Sequence, residues 1–125
     1  MLGQKNAVAT VAVKDLEVAR KFYESKLGLK IAGPSGPEVL IFESGSSRIL
    51  VYKSQFAGTN QATAVTWSVG EEVDAIVRDL EAKGVAFEKY DFPGVLHEGA
   101  VHVFGRMRNA WFKDPDGNIL SVVNG

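Results

Sequence analysis

The chain has no cysteine and only two histidines among its 125 residues. The absence of cysteine excludes disulfides and thiolate chemistry. Acidic and basic residues nearly cancel, at 15 and 14, so the formal net charge is -1. This balance gives no electrostatic basis for binding nucleic acid or an anionic membrane surface. We therefore expect neither of them as a partner.

Long apolar runs and a basic leader are also missing. No window approaches the roughly 18 consecutive apolar residues that span a bilayer. Residues 1–10 lack the basic stretch and apolar core of a secretion signal. Apolar residues make up 46% of the chain and charged residues 23%, a balance typical of globular domains. We expect a single cytoplasmic domain over residues 1–125.

The sequence repeats itself at low identity. Residues 11–19 and 67–75, which are 56 positions apart, both read as the end of a strand followed by the start of a helix. Residues 42–50 and 112–120, which are 70 positions apart, both read as a strand, a turn and a strand. The larger second offset places about 14 extra residues in the second half, as an inserted loop at about 91–105. The pattern predicts two tandem repeats, at about 7–54 and 63–124.

Each repeat has the local signals of a βαβββ unit, which predicts an α+β fold. Asp15 is a plausible N-cap, and Gly28 and Gly84 are placed to end the two helices. Turns are expected at Pro34–Pro37 and at Asp114–Asn118. The expected strands are near 7–13, 29–33, 38–43 and 48–53 in the first unit, and near 64–69, 85–90, 107–113 and 118–123 in the second.

Two motifs resemble the vicinal oxygen chelate superfamily of glyoxalases, extradiol dioxygenases and bleomycin- or fosfomycin-resistance proteins. One is Val13-Lys14-Asp15-Leu16 followed by Phe22-Tyr23 and Leu27-Gly28-Leu29; the other is Trp111 through Leu120, with Asp114-Pro115-Asp116-Gly117-Asn118 at its centre. The resemblance implies that two tandem βαβββ modules form a curled mixed sheet around a concave cleft. It also implies a homodimer.

The resemblance further implies where a divalent metal would be held, by His or Glu on the first and last strands of each unit. Projected onto this chain, those positions are Val8, Val51, Ala64 and Ser121. None except the serine hydroxyl offers a donor, and a catalytic metal needs about three. Moving the alignment with the superfamily pattern by one residue in either direction places no His, Asp or Glu at these positions. We therefore expect no metal at these positions and no cofactor.

Strand alternation predicts which side chains line the cleft. If Lys113 pairs with Asn118, then Phe112 lies beside Ile119 and Ala110 beside Ser121, while Trp67 and Trp111 face the helices. Phe42 and Phe112 fit either the cleft or the core. Arg108 fits either an anionic group of a ligand or the solvated surface. The predicted ligand-binding set is Thr10, Phe42, Val51, Thr66, Ser68, Arg108, Phe112 and Ser121.

Both histidines, His97 and His102, lie in the inserted segment with Glu98 between them. These three residues are candidates for catalysis, because histidine titrates near neutral pH and long loops often carry function. The histidine pair fits a metal less well, since no third ligand is apparent. Solvated or backbone-bonded histidines are a further interpretation.

Three functions remain open on the sequence. The first is metal-independent binding of a small organic molecule, including sequestration of a toxic or antibiotic compound. The second is a lyase, isomerase or dioxygenase-like enzyme that uses loop acid/base residues or unusual metal ligands. The third is a non-catalytic scaffold.

Overall fold

A computed structural model describes residues 1–32 and 36–125 and contains two mixed β-sheets. The first sheet has the strand order β1-β4-β3-β2, and the second has β5-β10-β9-β8-β7 with β6 also paired to β9. After a 3₁₀ turn at Leu2–Gln4, the elements are β1 (Ala9–Val13), α1 (Leu16–Arg20, continued by a π-helical segment Lys21–Lys26), β2 (Lys30–Ile31), β3 (Val39–Ser44), β4 (Ser47–Lys53), β5 (Thr63–Ser68), a 3₁₀ turn Gly70–Glu72, α2 (Val73–Ala82), β6 (Phe87–Glu88), β7 (Leu96–Glu98), β8 (Val101–Phe104), β9 (Met107–Lys113) and β10 (Ile119–Val123).

The α+β architecture confirms the predicted fold class. Asp15 caps α1, because its carboxylate accepts hydrogen bonds from the backbone N–H groups of Glu17 and Val18. Gly28 and Gly84 follow the two helical segments with φ of +76° and +85°, the left-handed conformation predicted for them. The turn expected at Pro34–Pro37 begins in residues 33–35, which lie outside the described residues.

The two units share one hydrophobic core. In the first unit, Val11, Val51 and Phe42 lie on one face, where Phe42 meets Tyr23 of the α1 segment at a ring distance of 5.7 Å. In the second unit, Trp67 stacks on Phe112 at 6.5 Å on the α2 side. All of these residues belong to a single cluster. The helix-bearing faces of both sheets therefore contribute to the same interior.

The other face of each sheet, here called the open face, is less covered. Thr10, Leu50 and Tyr52 lie on the open face of the first sheet, and Thr66, Trp111 and Ser121 on that of the second. Most of these side chains are exposed or half-buried, whereas Ser121 is buried. The open faces are therefore the less buried surfaces of the two sheets.

The Asp114–Asn118 turn ties the second unit to the first. Tyr23 donates its hydroxyl hydrogen to Asp114 Oδ2 at 2.8 Å, and Asn118 Nδ2 donates to the carbonyl of Ala12 at 2.7 Å. The backbone N–H of Lys14 donates to Asp116 Oδ1 at 3.1 Å. The motif thus has an inter-unit structural role.

The inserted segment is a hairpin rather than the expected loop. Its strands β7 and β8 pair with each other, and β8 adds to the edge of β9 with His102 opposite Asn109. The short strand β6 pairs with the other end of the same edge of β9, with Glu88 opposite Trp111. The chain therefore leaves β9 after β6 and returns to it as β8.

Within the described residues, no helix combines the length and the apolar character that a membrane crossing requires. The cytoplasmic location stays a prediction.

Candidate functional site on the open face

The register of the last hairpin differs from the prediction by one residue. Lys113 pairs with Ile119, not with Asn118, so five residues separate the strands. Consequently Phe112 lies opposite Leu120, Ala110 opposite Val122, and Trp111 opposite Ser121. A shift of one position moves each side chain of a strand to the other face of the sheet. The predicted pairings of Phe112 with Ile119 and Ala110 with Ser121 are therefore wrong.

The same extra residue changes the correspondence between the two units. In the first hairpin only four residues, 44–47, separate the pair Glu43 and Arg48. The repeat offset is therefore 70 before the turn and 71 after it. Leu50, not Val51, corresponds to Ser121, as the parallel pairs Thr10–Leu50 and Thr66–Ser121 show.

The corrected set of superfamily positions does not fit a metal. Val8, Leu50 and Ala64 have hydrocarbon side chains, and the Ser121 hydroxyl is hydrogen-bonded to the Thr66 hydroxyl at 2.8 Å. Nowhere in residues 1–32 and 36–125 do three His, Cys, Asp or Glu side chains group in a way that could hold a metal ion. A divalent cation would lack the donors that it needs at these positions.

Four of the eight predicted ligand-binding residues lie on the open faces. Thr66 and Ser121 form the hydroxyl pair at the centre of the second sheet. Ser68 lies further along the same strand and donates its hydroxyl hydrogen to the carbonyl of Gly125. Thr10 lies on the first sheet, where its hydroxyl donates to the carbonyl of Val8 at 3.3 Å. These residues supply a small number of hydrogen-bonding groups.

The other four predicted residues are on the helix-bearing side. Phe42, Val51 and Phe112 are fully buried in the core. Arg108 bridges α2 and the inserted hairpin, with Nη2 at 2.8 Å from Asp74 Oδ1 and Nη1 at 3.1 Å from Glu98 Oε1. The pKa of Arg108 is raised, chiefly by its hydrogen bonds to these carboxylates. Arg108 is thus already paired with two carboxylates of this chain.

An aromatic pocket lies on the open face of the second sheet. It has a volume of about 580 Å³. Trp111 forms one wall and contacts Tyr90 edge-on at a ring distance of 5.3 Å. An ion pair, Lys113 Nζ to Glu88 Oε1 at 3.1 Å, lies at its edge. The lining consists of aromatic and aliphatic side chains with amide, hydroxyl and charged groups: Asn60, Gln61, Ala62, Thr63, Glu88, Tyr90, Phe92, Trp111, Lys113 and Ile119.

Tyr90 and Asn109 each carry a buried polar atom on this side of the second sheet. The Tyr90 hydroxyl and Asn109 Oδ1 make no hydrogen bond within the described residues. Asn109 lies opposite His102 on the open face, and Tyr90 lines the pocket.

The three catalytic candidates lie close together, and each is already hydrogen-bonded within the protein. His97 and His102 lie opposite each other on β7 and β8, with ring centroids 4.8 Å apart. Both ring nitrogens of His102 are used, since Nε2 accepts from the Tyr90 N–H at 2.8 Å and Nδ1 donates to the Ala100 carbonyl at 3.1 Å. Glu98 is paired with Arg108. The Tyr90 carbonyl accepts from His97 Nε2 at 3.0 Å, which leaves His97 Nδ1 as the acceptor nitrogen.

A second cavity, of about 240 Å³, lies between the units on the helix-bearing side. Its walls include the core residues Leu80, Phe112 and Val122. The indole of Trp67 there already donates to the hydroxyl of Ser44 at 2.8 Å. Lys26 and Asp79 also line this crevice, and Asp79 is paired with Lys83 at 3.1 Å.

Sequence reasoning missed Trp111 and Tyr90 as pocket residues. Trp111 does not lie under the helices as predicted, because that prediction depended on the one-residue register error. Tyr90 lies in the segment where the chain leaves β9, and no periodic pattern marks it. The available signal was that Tyr90 directly precedes, and Phe92 lies within, the insertion that contains both histidines.

Comparison with known proteins supports a family assignment. The family model described as "Glyoxalase/Bleomycin resistance protein/Dioxygenase superfamily" matches residues 6–122. No curated protein matches the sequence significantly.

Several solved structures share the fold. A mutant of the fosfomycin resistance protein FosX from Listeria monocytogenes, complexed with Mn(II) and 1S,2S-dihydroxypropylphosphonic acid, is 20% identical, with a TM-score of 0.72 over 100% of this chain and 92% of that one. A lactoylglutathione lyase from Agrobacterium tumefaciens is 18% identical, with a TM-score of 0.71 over 96% and 92%. An integron cassette protein from the Halifax Harbour sewage outfall metagenome is 19% identical, with a TM-score of 0.71 over 96% and 97%. At these identities the likeness shows the fold alone.

Proposed function

The chain belongs to the glyoxalase/bleomycin resistance protein/dioxygenase superfamily, and we propose that it binds a small, partly apolar organic molecule without a metal at the superfamily positions. The observation that carries this proposal is the pocket beside Trp111 on the open face. Ligand sites are commonly apolar concavities with a few polar groups that orient the ligand. The aromatic wall and the polar edge of this pocket fit that description.

The pocket favours a ligand with a flat or aliphatic body and at least one hydrogen-bonding group. Trp111, Tyr90 and Phe92 offer ring surfaces, and the amides of Asn60 and Gln61 offer donors and acceptors. Sequestration of a toxic or antibiotic compound is the biological role that we propose for such a site.

We also propose a homodimer that completes the site. The open face of the first sheet carries apolar side chains, among them Leu50 and the 36%-exposed Tyr52. A second copy that placed this face over the aromatic pocket of its partner would cover both surfaces. Burial of the exposed apolar area would drive the association.

A fragment screen tests the binding proposal. Aromatic carboxylates and aromatic amides are screened by thermal shift, and hits are titrated by quenching of tryptophan fluorescence. We expect hits that bind the Trp67→Phe variant normally and lose at least tenfold in affinity in the Trp111→Ala variant. Trp67→Phe is the matched control because its indole lies on the helix-bearing side. Equal binding to both variants would place the ligand elsewhere.

Metal analysis tests the other half of the proposal. Protein purified without chelators is incubated with Mn²⁺, Zn²⁺ or Ni²⁺, dialysed and analysed for metal content. We expect substoichiometric retention, because the four superfamily positions supply no set of donors. Stoichiometric retention of any of these metals contradicts the proposal.

An enzyme that uses His97 is the second candidate function. The hydrogen bond to the Tyr90 carbonyl leaves His97 Nδ1 free to accept a proton at the rim of the open face. A lyase or isomerase activity that disappears in His97→Gln and persists in the matched Glu98→Gln variant would favour this candidate over simple binding.

A further inference from the structure

Two histidine side chains hold the backbone of Tyr90. Its N–H donates to His102 Nε2 at 2.8 Å, and its carbonyl accepts from His97 Nε2 at 3.0 Å. Both histidines come from the inserted hairpin, where they lie opposite each other. The imidazole rings therefore occupy both hydrogen-bonding groups of one residue's backbone.

These bonds occur where the sheet has a break. The short strand β6 ends at Glu88, and β8 begins to cover the same edge of β9 from Val101 onward. Tyr90 lies in the connection that departs from the sheet, so ladder bonds do not hold it. The two side chains supply the missing bonds and position Tyr90 and Phe92, which line the aromatic pocket.

The geometry assigns a tautomer to each ring. A backbone N–H is only a donor, so His102 Nε2 must be unprotonated, and its proton is on Nδ1, which faces the Ala100 carbonyl. A carbonyl is only an acceptor, so His97 Nε2 must carry a proton. A second proton on His102 would point a donor at the donor N–H of Tyr90 and abolish that bond.

The surroundings of His102 oppose this second proton. The side chain is 2% exposed and is flanked by Trp111 at a ring distance of 4.7 Å and by Tyr90 at 6.0 Å. Burial lowers the pKa of His102 below its ordinary value of 6.5, and the neighbouring His97 lowers it further. The carbonyls of Ala100 and Asn109 and the carboxylate of Asp91 act in the opposite direction. Asp91 is itself almost fully exposed and lies 3.9 Å from His97.

We propose that His97 and His102 are positioning residues for the wall of the aromatic pocket, and that protonation of His102 releases the segment from Lys89 to Val95. The released state exposes the His102 ring and regains the ordinary proton affinity of imidazole. The inference concerns the free protein and holds whatever the pocket binds.

Linkage gives the direction of the effect. The released state binds the proton more tightly than the closed state, so lower pH favours release. The closed state is the one in which His102 accepts the hydrogen bond from Tyr90. Its free-energy advantage over the released state is complete above pH 6.5 and decreases as the pH falls from 6.5 towards the lower pKa of His102 in the closed state. Within that window the opening constant rises by up to about tenfold for each pH unit.

Amide hydrogen exchange and imidazole NMR test the proposal on the wild-type protein between pH 7.5 and 5. The expected NMR spectrum shows His102 protonated at Nδ1 and His97 at Nε2 at neutral pH. Protection of the Tyr90 amide, corrected for the intrinsic exchange rate, should fall as the pH drops below 6.5, by at most about tenfold for each pH unit. Core amides such as Val122 serve as the control and should keep their protection.

Variants identify the group that titrates. His102→Gln keeps an acceptor for the Tyr90 N–H and does not titrate, so the fall in Tyr90 protection should disappear. His97→Gln keeps a donor for the Tyr90 carbonyl and removes the imidazole that lowers the pKa of His102. In that variant the pKa of His102 should lie closer to 6.5, so the fall in protection of the Tyr90 amide should become smaller. This second variant keeps the test available if His102→Gln does not fold.

Three results would overturn the proposal. The first is Tyr90 protection that does not change with pH. The second is an equal loss at Val122, which would mean global unfolding. The third is a pH dependence that persists in His102→Gln or is unaltered in His97→Gln.

Discussion

Among single residues, Tyr23 joins the helix of the first unit to the turn of the second. Its hydroxyl donates to Asp114 in a buried contact separated by 91 positions in sequence. Burial raises the pKa of Tyr23 well above its ordinary range, and the Asp114 charge adds to the effect. The phenol therefore stays protonated and remains a donor at neutral pH.

Removing this hydroxyl should destabilise the fold. We expect Tyr23→Phe to lower the free energy of unfolding by roughly 1.5–3 kcal/mol, the range for a hydrogen bond to a charged group. Urea denaturation followed by circular dichroism measures the change. Tyr52→Phe removes a hydroxyl from a 36%-exposed residue of the open face and should change stability by less than about 0.5 kcal/mol. Similar losses in the two variants would contradict the role of Tyr23.

Gly58 is a second residue whose effect depends on a long-range contact. A Cβ atom at this position would lie 2.2 Å from the carbonyl oxygen of Asp116, and φ is +78°. The segment that connects the units can therefore approach the Asp114–Asn118 turn only with glycine here.

We expect Gly58→Ala to cost roughly 2–4 kcal/mol, since both the backbone strain and the clash must be relieved. Gly45→Ala is the matched control, because Gly45 has φ of +57° and a Cβ added there would have no atom within 4 Å. That variant should cost about 1–2 kcal/mol, from the left-handed backbone alone. Thermal unfolding measures the loss of stability in both variants. Equal losses would show that the contact with Asp116 does not require glycine at position 58.

At the scale of elements, the two strand–turn–strand hairpins determine which side chains reach the open face. The sequence pattern predicts both hairpins, and their strands lie close to the predicted positions. Their turns differ by one residue, and this difference exchanges Trp111 with Phe112 and Leu50 with Val51 between the faces. Turn length is set by local hydrogen bonds, such as those of Asp114 with Asp116 and Asn118, which the repeat pattern did not reveal.

Arg108 connects the inserted hairpin to α2 through Asp74 and Glu98. We expect Arg108→Met to lower the free energy of unfolding by about 0.5–1 kcal/mol, since all three side chains are partly exposed. The loss should shrink in 1 M NaCl because salt screens such pairs. Arg106→Met, at an exposed neighbouring position, is the control. A loss that is independent of salt would point to packing of the arginine stem and not to the ion pairs.

At the scale of the whole molecule, the open faces predict association. We expect light scattering to give about twice the chain mass of 13.5 kDa. Leu50→Lys places a charge on the open face of the first sheet and should shift the protein towards monomer. Val18→Lys, on the exposed side of α1, is the matched control and should leave the dimer intact. A wild-type monomer, or equal dissociation in both variants, would contradict the arrangement.

Sequence alone is sufficient to predict the α+β class, the repeat and the caps of the helix segments. It also predicts superfamily positions without metal donors, although one of these positions moves from Val51 to Leu50 in the structure. These features follow from local periodicity, capping chemistry and residue identity, which require no knowledge of distant contacts. The face of the sheet on which each side chain lies follows only from the three-dimensional structure, because a strand's orientation depends on the turn length and on its pairing with other strands. It also decided that His97 and His102 hold the backbone of Tyr90, since this contact forms only when the inserted hairpin folds onto the edge of β9.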